Sequence, residues 1–281
     1  SWQENTINDL KRISEYKLGV IGTPIDHSLS PFIHSRFARQ ENINIDYRAY
    51  RVEEEELNSF IKEFFLTKDS KGLNITLPHK KSSAKIITNL SKEAAFIGAV
   101  NTIIKSSDKL HALSTDGEGL IKDLVEKDIQ IANKKILIIG AGAAVQSVLF
   151  RIIKSNPISI TITNRSEDKA KKLCTKYKPM MDISHDLEDK KYDLVINGSS
   201  AGLTGDFIPP DDALFDKNTI FYDLNYSLTG TAFCNWAEEI SDHHYDGMGM
   251  LISQAALSFN EWFGVMPSTT GIIKEIRELR N

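Results

Sequence analysis

A few polar side chains stand where the chain leaves an apolar run, and their types suggest ligand chemistry. In "DHSLSP" (26–31) the hydroxyls of Ser28 and Ser30 precede a proline-started helix. Two hydroxyls beside the unpaired N–H groups of a helix N-terminus can hold a carboxylate, although Ser30 alone would also serve as an ordinary helix cap. In "KGLNITLPHKK" (71–81) the alternation places Asn74 and Thr76 on one face of a strand and Ile75 and Leu77 on the other. Pro78, lacking an N–H, suits the first turn of a helix, which brings Lys80 into that turn at the strand's C-terminal end. That edge is where α/β proteins bind ligands. "GAVNTI" offers Asn101 and "STDGEG" offers Asp116. Each of these, taken singly, has a structural use as a turn amide or a helix cap; their orderly recurrence at strand ends favours a shared site.

A second chemistry is written in "ILIIGAGAAVQSVLF". Gly140 and Gly142 lie between a wholly apolar strand and a helix. The first glycine permits the tight turn and the second lets a pyrophosphate approach the helix N-terminus. Val145 occupies the third fingerprint position, where a small residue allows close packing, and is expected to push helix and strand apart. The next strand ends in Asn164-Arg165-Ser166, with Lys169 one turn later. A guanidinium and a hydroxyl suit a ribose 2′-phosphate and hence NADP(H), while Glu167 lies close enough to keep NAD in contention.

The elements that must position these groups follow from periodicity. Strand-like runs at 16–22, 46–52, 72–77, 99–105, 134–140, 158–164, 192–198 and 219–225 alternate with helical patterns, the signature of βαβ units and a parallel sheet. The fold class read from this is α/β, in two lobes with a cleft between them. The hinge between them is the "LSTDGEGL" region, 113–120, and the glycine turn makes the second lobe a Rossmann-like dinucleotide-binding domain.

Composition bounds the possibilities. A chain of 281 residues, 41% hydrophobic and 26% charged, suits two globular domains. A formal charge of −4 argues against nucleic acid as the partner. Cys174 and Cys234 are too few for a disulfide framework or a thiolate metal cluster, and the seven histidines show no metal-ligand spacing. No apolar run approaches the roughly 18 residues that span a bilayer. The polar opening "SWQENTINDLKRISEY" has no signal-peptide pattern and reads as an extension or a trimmed end, residues 1–15, of a cytoplasmic protein.

The motifs "HSLSP", "NITLPHKK", "GAVNT", "STDGEG", "GAGAA", "NRSEDKA", "NGSSAGL" and "DGMGMLISQAALSFNEWFG", in this order, resemble shikimate dehydrogenase from about Tyr16 onward. The resemblance implies NADPH-dependent reduction of 3-dehydroshikimate to shikimate in aromatic amino-acid biosynthesis, by a monomer or homodimer. It implies that Lys80 and Asp116 are the catalytic pair and that Ser28 and Ser30 hold the substrate carboxylate. Asn74, Thr76, Asn101, Tyr226 and Gln254 would bind or shape the ring pocket. Gly140, Ala141, Gly142, Ala143, Ala144, Asn164, Arg165, Ser166 and Lys169 would hold the cofactor phosphates, with Leu224 and Gly247 at its nicotinamide end. By the same resemblance the substrate domain comprises 1–116 plus 250–281 and the NADP-binding domain 117–249. Ser114, Ala143, Val145, Gln146 and "NGSSAGL" depart from the family pattern, mostly in the cofactor domain. Two rival readings are an NAD-using quinate/shikimate dehydrogenase and a catalytically silent metabolite-binding regulator.

Overall fold

The structure, a computed structural model, describes residues 14–188 and 191–279, so most of the extension expected over residues 1–15 lies outside the described residues. The chain forms two compact units, Ser1–Gly119 with Ile252–Ile276, and Leu120–Leu251 with Arg277–Asn281.

The first unit runs β1 (Tyr16–Gly22), α1 (Ser30–Gln40), β2 (Ile45–Arg51), α2 (Leu57–Phe64), β3 (Ser70–Ile75), α3 (Lys80–Ile86), β4 (Asn89–Leu90), α4 (Lys92–Ile97), β5 (Thr102–Ser106) and β6 (Lys109–Leu113). Its sheet has the order β2-β1-β3-β5-β6-β4. The strands β2, β1 and β3 are parallel, as the alternation with helices predicts. The sheet as a whole is not: β5 lies antiparallel to both β3 and β6. The reason is local. Only Ser107 and Asp108, at φ 48° and 63°, separate β5 from β6, and a two-residue turn with both φ positive closes an antiparallel hairpin. Ile21, Ile61, Phe64, Leu73 and Ile103 form part of the unit's core.

The helix α5 (Asp116–Glu126) carries the chain onward. The second unit runs β7 (Lys135–Ile139), α6 (Ala143–Lys154), β8 (Ser159–Thr163), α7 (Glu167–Tyr177), β9 (Leu194–Asn197), α8 (Ala201–Thr204), β10 (Ile220–Asp223), α9 (Ala232–Glu238) and β11 (His244–Tyr245). The helix α10 (Met248–Phe263) returns the chain, and α11 (Ile272–Glu278) follows. All strands of the second sheet are parallel, in the order β11-β10-β9-β7-β8. The apolar run "KILII" is needed because β7 is covered on both faces: Ile136 and Ile138 enter one core cluster, Leu137 and Ile139 another.

Both sheets reverse their winding once. In the first, β2 and β3 flank β1, so the crevice opens where β1 and β3 end. In the second, β8 and β9 flank β7, so the reversal lies where β7 and β9 end. The segments after β1 and β3 carry Ser28, Ser30, Thr76 and Lys80, and the segment after β7 carries Gly140 and Gly142.

Candidate functional site

In the first unit, β3 ends at Ile75, and a turn through Thr76, Leu77 and Pro78 leads to His79, the N-cap of α3. Lys80 is the first residue of that helix, in its first turn as expected. Pro78 lies ahead of the helix rather than inside it, and Leu77, expected to fill the core face, is 62% exposed. The strand stops at Ile75, so alternation no longer governs Leu77. The turn is tied down from the side: His79 is buried and its Nε2 lies 2.5 Å from the Val52 carbonyl.

Asp116 opens α5, and its Oδ2 accepts a hydrogen bond from Lys80 Nζ at 2.8 Å. The pair is largely out of solvent, the side chains 22% and 8% exposed. A charge-assisted bond in such a setting is stronger than its exposed counterpart. Asp116 Oδ1 accepts from Asn101 Nδ2 at 3.0 Å, and the same amide reaches Gln254 Oε1 at 3.1 Å. Lys80, Asp116, Asn101 and Gln254 therefore form one connected group within the first unit.

Asn74 is placed differently. Its Oδ1 accepts from the Tyr47 hydroxyl at 2.7 Å, and its Nδ2 donates to Asn101 O and Ser258 Oγ, both at 3.2 Å. The side chain is buried and its bonds run to the protein interior. Thr76 lies half-buried one residue beyond β3. Ser30 is the first helical residue of α1 rather than its cap, which is Leu29 with no side-chain cap bond. Ser28 Oγ accepts from the Ser30 N–H at 3.3 Å, so the two serines adjoin at a helix N-terminus. Tyr47 and Ser258 were not singled out from sequence. Ser258 could have been, because it stands four residues from Gln254 on the same helical face.

In the second unit, Gly140 adopts φ 107° and its N–H donates to Thr163 O at 2.8 Å. A Cβ on Gly140 would sit 2.9 Å from the Ser199 N, so the two loops at the winding reversal approach too closely for any side chain. Gly142 is the N-cap of α6 and offers no side-chain cap; the space where its Cβ would point is open. A dinucleotide pyrophosphate fits such an end, with uncapped N–H donors and no Cβ in the way. Ala141 is buried, Ala143 and Ala144 begin the helix, and Gln146 Nε2 donates back to Ala141 O at 3.0 Å.

Val145 is fully buried, and its bulk is accommodated by Gly198 of "NGSS": a Cβ on Gly198 would overlap Val145 Cγ2. A cavity of about 550 Å³ adjoins these loops, lined by Gly140, Thr163, Asn164, Arg165, Ser199 and Ile208 among others. Asn164 Nδ2 donates to Ser166 O at 2.9 Å, and Arg165 Nη2 to Asp206 O at 3.4 Å. Ser166 and Lys169 are exposed and do not line the cavity. Glu167, the residue that kept NAD in contention, faces Lys171 at 3.7 Å and His185 at 3.6 Å.

Leu224 and Gly247 meet: a Cβ on Gly247 would overlap the Leu224 carbonyl. Tyr226 is half-buried on the loop after β10, and burial raises its hydroxyl pKa. Asp223 anchors that loop. Its Oδ1 accepts from Asn197 Nδ2 and from the Asn225 N–H, each at 3.0 Å, while burial, against these bonds, raises its pKa.

Among known proteins, the chain is 38% identical over 267 residues to the shikimate dehydrogenase (NADP(+)) of Vibrio campbellii, covering 93% of this chain and 96% of that one. The chain belongs to the shikimate dehydrogenase family. Three family descriptions divide it: the shikimate dehydrogenase substrate binding domain matches residues 20–103, shikimate/quinate 5-dehydrogenase 123–203, and the shikimate 5′-dehydrogenase C-terminal domain 247–277. Among solved members of the family, the Thermus thermophilus shikimate 5-dehydrogenase in complex with NADP(H) and shikimate superposes with a TM-score of 0.83 at 28% identity, over 94% of this chain and 99% of that one. The Listeria monocytogenes enzyme in complex with shikimate and NAD gives 0.84 at 28% identity, over 93% and 96%. No helix among the described residues is long and apolar enough to cross a membrane.

Proposed function

We propose that the chain reversibly reduces 3-dehydroshikimate to shikimate with NADPH, serving aromatic amino-acid biosynthesis in the cytoplasm, with Lys80 and Asp116 as the catalytic pair. The observation that carries the residue assignment is the bond of 2.8 Å between the Lys80 ammonium and the Asp116 carboxylate, made largely out of solvent at the strand end that opens the first sheet. Residues 1–116 with 250–281 take the substrate and residues 117–249 the dinucleotide.

When bound, the reduced nicotinamide supplies the hydride. The chain's own residues manage the oxygen that gains charge as the ring carbonyl is reduced. Lys80 gives one N–H to Asp116 and keeps two for that oxygen, which it can stabilise and protonate; in the oxidative direction the neutral amine takes the proton back. Asp116 orients the amine, and Asn101 holds the far carboxylate oxygen. Gln254, bonded to the same Asn101 amide, presents its side chain beside them. Ser28 and Ser30, at the N-terminus of α1, are assigned to the substrate carboxylate.

In the second unit the uncapped start of α6 is assigned to the pyrophosphate, with Ala141, Ala143 and Ala144 shaping the turn. Arg165 and Asn164, at the cavity wall, are assigned to the 2′-phosphate. Leu224, Gly247 and Tyr226 are assigned to the nicotinamide and ring end.

The test is the absorbance of reduced nicotinamide with shikimate or quinate, each paired with NADP⁺ or NAD⁺. Shikimate with NADP⁺ should give the highest initial rate. A faster quinate or NAD⁺ reaction would reassign the specificity, and a flat trace in all four would leave only a binding protein.

A further inference from the structure

The polar groups behind the Lys80–Asp116 pair form a chain whose proton directions are forced by two main-chain anchors. The Thr115 backbone N–H donates to Asn101 Oδ1 at 2.9 Å, which fixes that atom as the oxygen and turns the two protons of Nδ2 toward Thr115 Oγ1, Asp116 Oδ1 and Gln254 Oε1, at 2.9, 3.0 and 3.1 Å. Thr102 Oγ1 lies 2.8 Å from the same Asn101 Oδ1, and an amide oxygen cannot donate. Thr102 must therefore spend its single proton there. Facing Ser258 Oγ, also at 2.8 Å, Thr102 can only accept, so Ser258 donates.

The second anchor is the Asn101 carbonyl, which accepts from Asn74 Nδ2 at 3.2 Å. That fixes the Asn74 amide as well: its nitrogen also donates to Ser258 Oγ at 3.2 Å, and its oxygen receives the Tyr47 hydroxyl proton. The direction is then uniform, from Tyr47 through Asn74, Ser258, Thr102 and Asn101 to Asp116. Thr115 joins from the side, accepting from Asn101 Nδ2 and giving its own hydroxyl proton to Gln254 O, each at 2.9 Å. Thr102 and Ser258 are fully buried, and all these residues belong to the first unit.

We infer that Thr102 and Ser258 are positioning residues for the reaction, acting by fixing the Asn101 amide that holds Asp116 against Lys80. This rests on the catalytic assignment above. A fully satisfied buried network specifies one arrangement of its members, and breaking it at one hydroxyl leaves the next acceptor with fewer donors. Ser258 has a weaker alternative acceptor in Gln254 O at 3.2 Å, so Thr102 is the more sensitive link.

The experiment compares T102V, T102S, S258A and the T102V/S258A double variant in the full chain. Loss of one such hydrogen bond should lower kcat in T102V by roughly tenfold with KM within about twofold. T102S, which keeps the hydroxyl, should return kcat to within about twofold of the parent. The double variant should be no more than about twofold worse than the worse single, because both interrupt one chain. Parent-like kcat in T102V, an equal loss in T102S, or multiplied losses in the double variant would each overturn the inference. A readout independent of turnover is water exchange of the Asn101 side-chain N–H protons by NMR, at least about tenfold faster in T102V, or in S258A should T102V not fold. Unchanged exchange would overturn the inference. Absence of shikimate oxidation in the parent would instead overturn the assigned activity, leaving the exchange rates to judge the chain of bonds.

Discussion

Replacing Gly198 by alanine tests how this chain tolerates a valine where the dinucleotide fingerprint carries a small residue. The added Cβ would overlap Val145 Cγ2 and lie 3.2 Å from Leu224 Cδ1. Val145 is fully buried on the first turns of α6, so it has no empty space to swing into. Overpacking of this kind costs about 1–3 kcal/mol through off-rotamer side chains and backbone shifts. Val145→Ala alone removes two buried methyl groups, about 1.6 kcal/mol of transfer free energy, and the residual cavity brings the loss to about 2 kcal/mol. Were the two changes independent, the double variant would lose about 3–5 kcal/mol. If the Gly198 site is shaped by Val145, the new methyl fills the space that valine vacates. The double variant should then lose only about 2 kcal/mol, a coupling of about 2 kcal/mol. The assay is urea unfolding of the four proteins with a probe in the second unit, complemented by NADP⁺ titration, since Gly198 begins the loop that abuts Gly140. Additive losses, or a Gly198→Ala variant as stable as the parent, would refute the reasoning.

Other outcomes are expected at the sites described. Lys80→Ala should lower kcat for shikimate oxidation by at least about a hundredfold, the effect of losing a positioned acid–base group; near-parent turnover would remove Lys80 from the mechanism. Ser28→Ala should raise the KM for shikimate with little change in kcat, and a change confined to kcat would show that the serine was misassigned. Arg165→Ala should weaken NADP⁺ binding by roughly ten- to a hundredfold while leaving NAD⁺ nearly unchanged, as measured by calorimetry, because a charge-assisted contact contributes about 1.5–3 kcal/mol. His34 is buried against Tyr47, their rings stacked at 4.6 Å, and desolvation, opposed by a smaller effect of Asn74, lowers its pKa from 6.5 to about 3. Between those values the unfolded chain binds a proton that the folded chain does not, so His34 makes stability fall as pH drops from 6.5 toward 3. In His34→Phe the acid-side loss of stability should be shallower by up to about 1.4 kcal/mol per pH unit, and an unchanged slope would exclude this histidine as the cause.

The residue order alone settled the α/β class, the parallel second sheet and the placement of Lys80 in the first turn of a helix. These follow from short-range rules: strand alternation, an apolar run covered on both faces, glycines at a strand-to-helix junction. The same rules failed at three places, two of them local turns and one a contact distant in sequence. The hairpin at Ser107 and Asp108 has no glycine or asparagine to announce it, and its antiparallel strands make the first sheet mixed. Leu77 escapes the alternation because its strand has already ended. Val145 looked like a defect in the fingerprint until folding set it opposite Gly198, 53 positions away, where the missing side chain makes room for it. Asn74 and Asn101 stand out in the sequence as candidate site residues, whereas nothing in the spacing marks Thr102, and Ser258 is marked only by standing four residues from Gln254. Only the tertiary structure gathers them, because hydrogen-bond direction depends on which main-chain donors and acceptors stand opposite each amide, and sequence spacing does not carry that information.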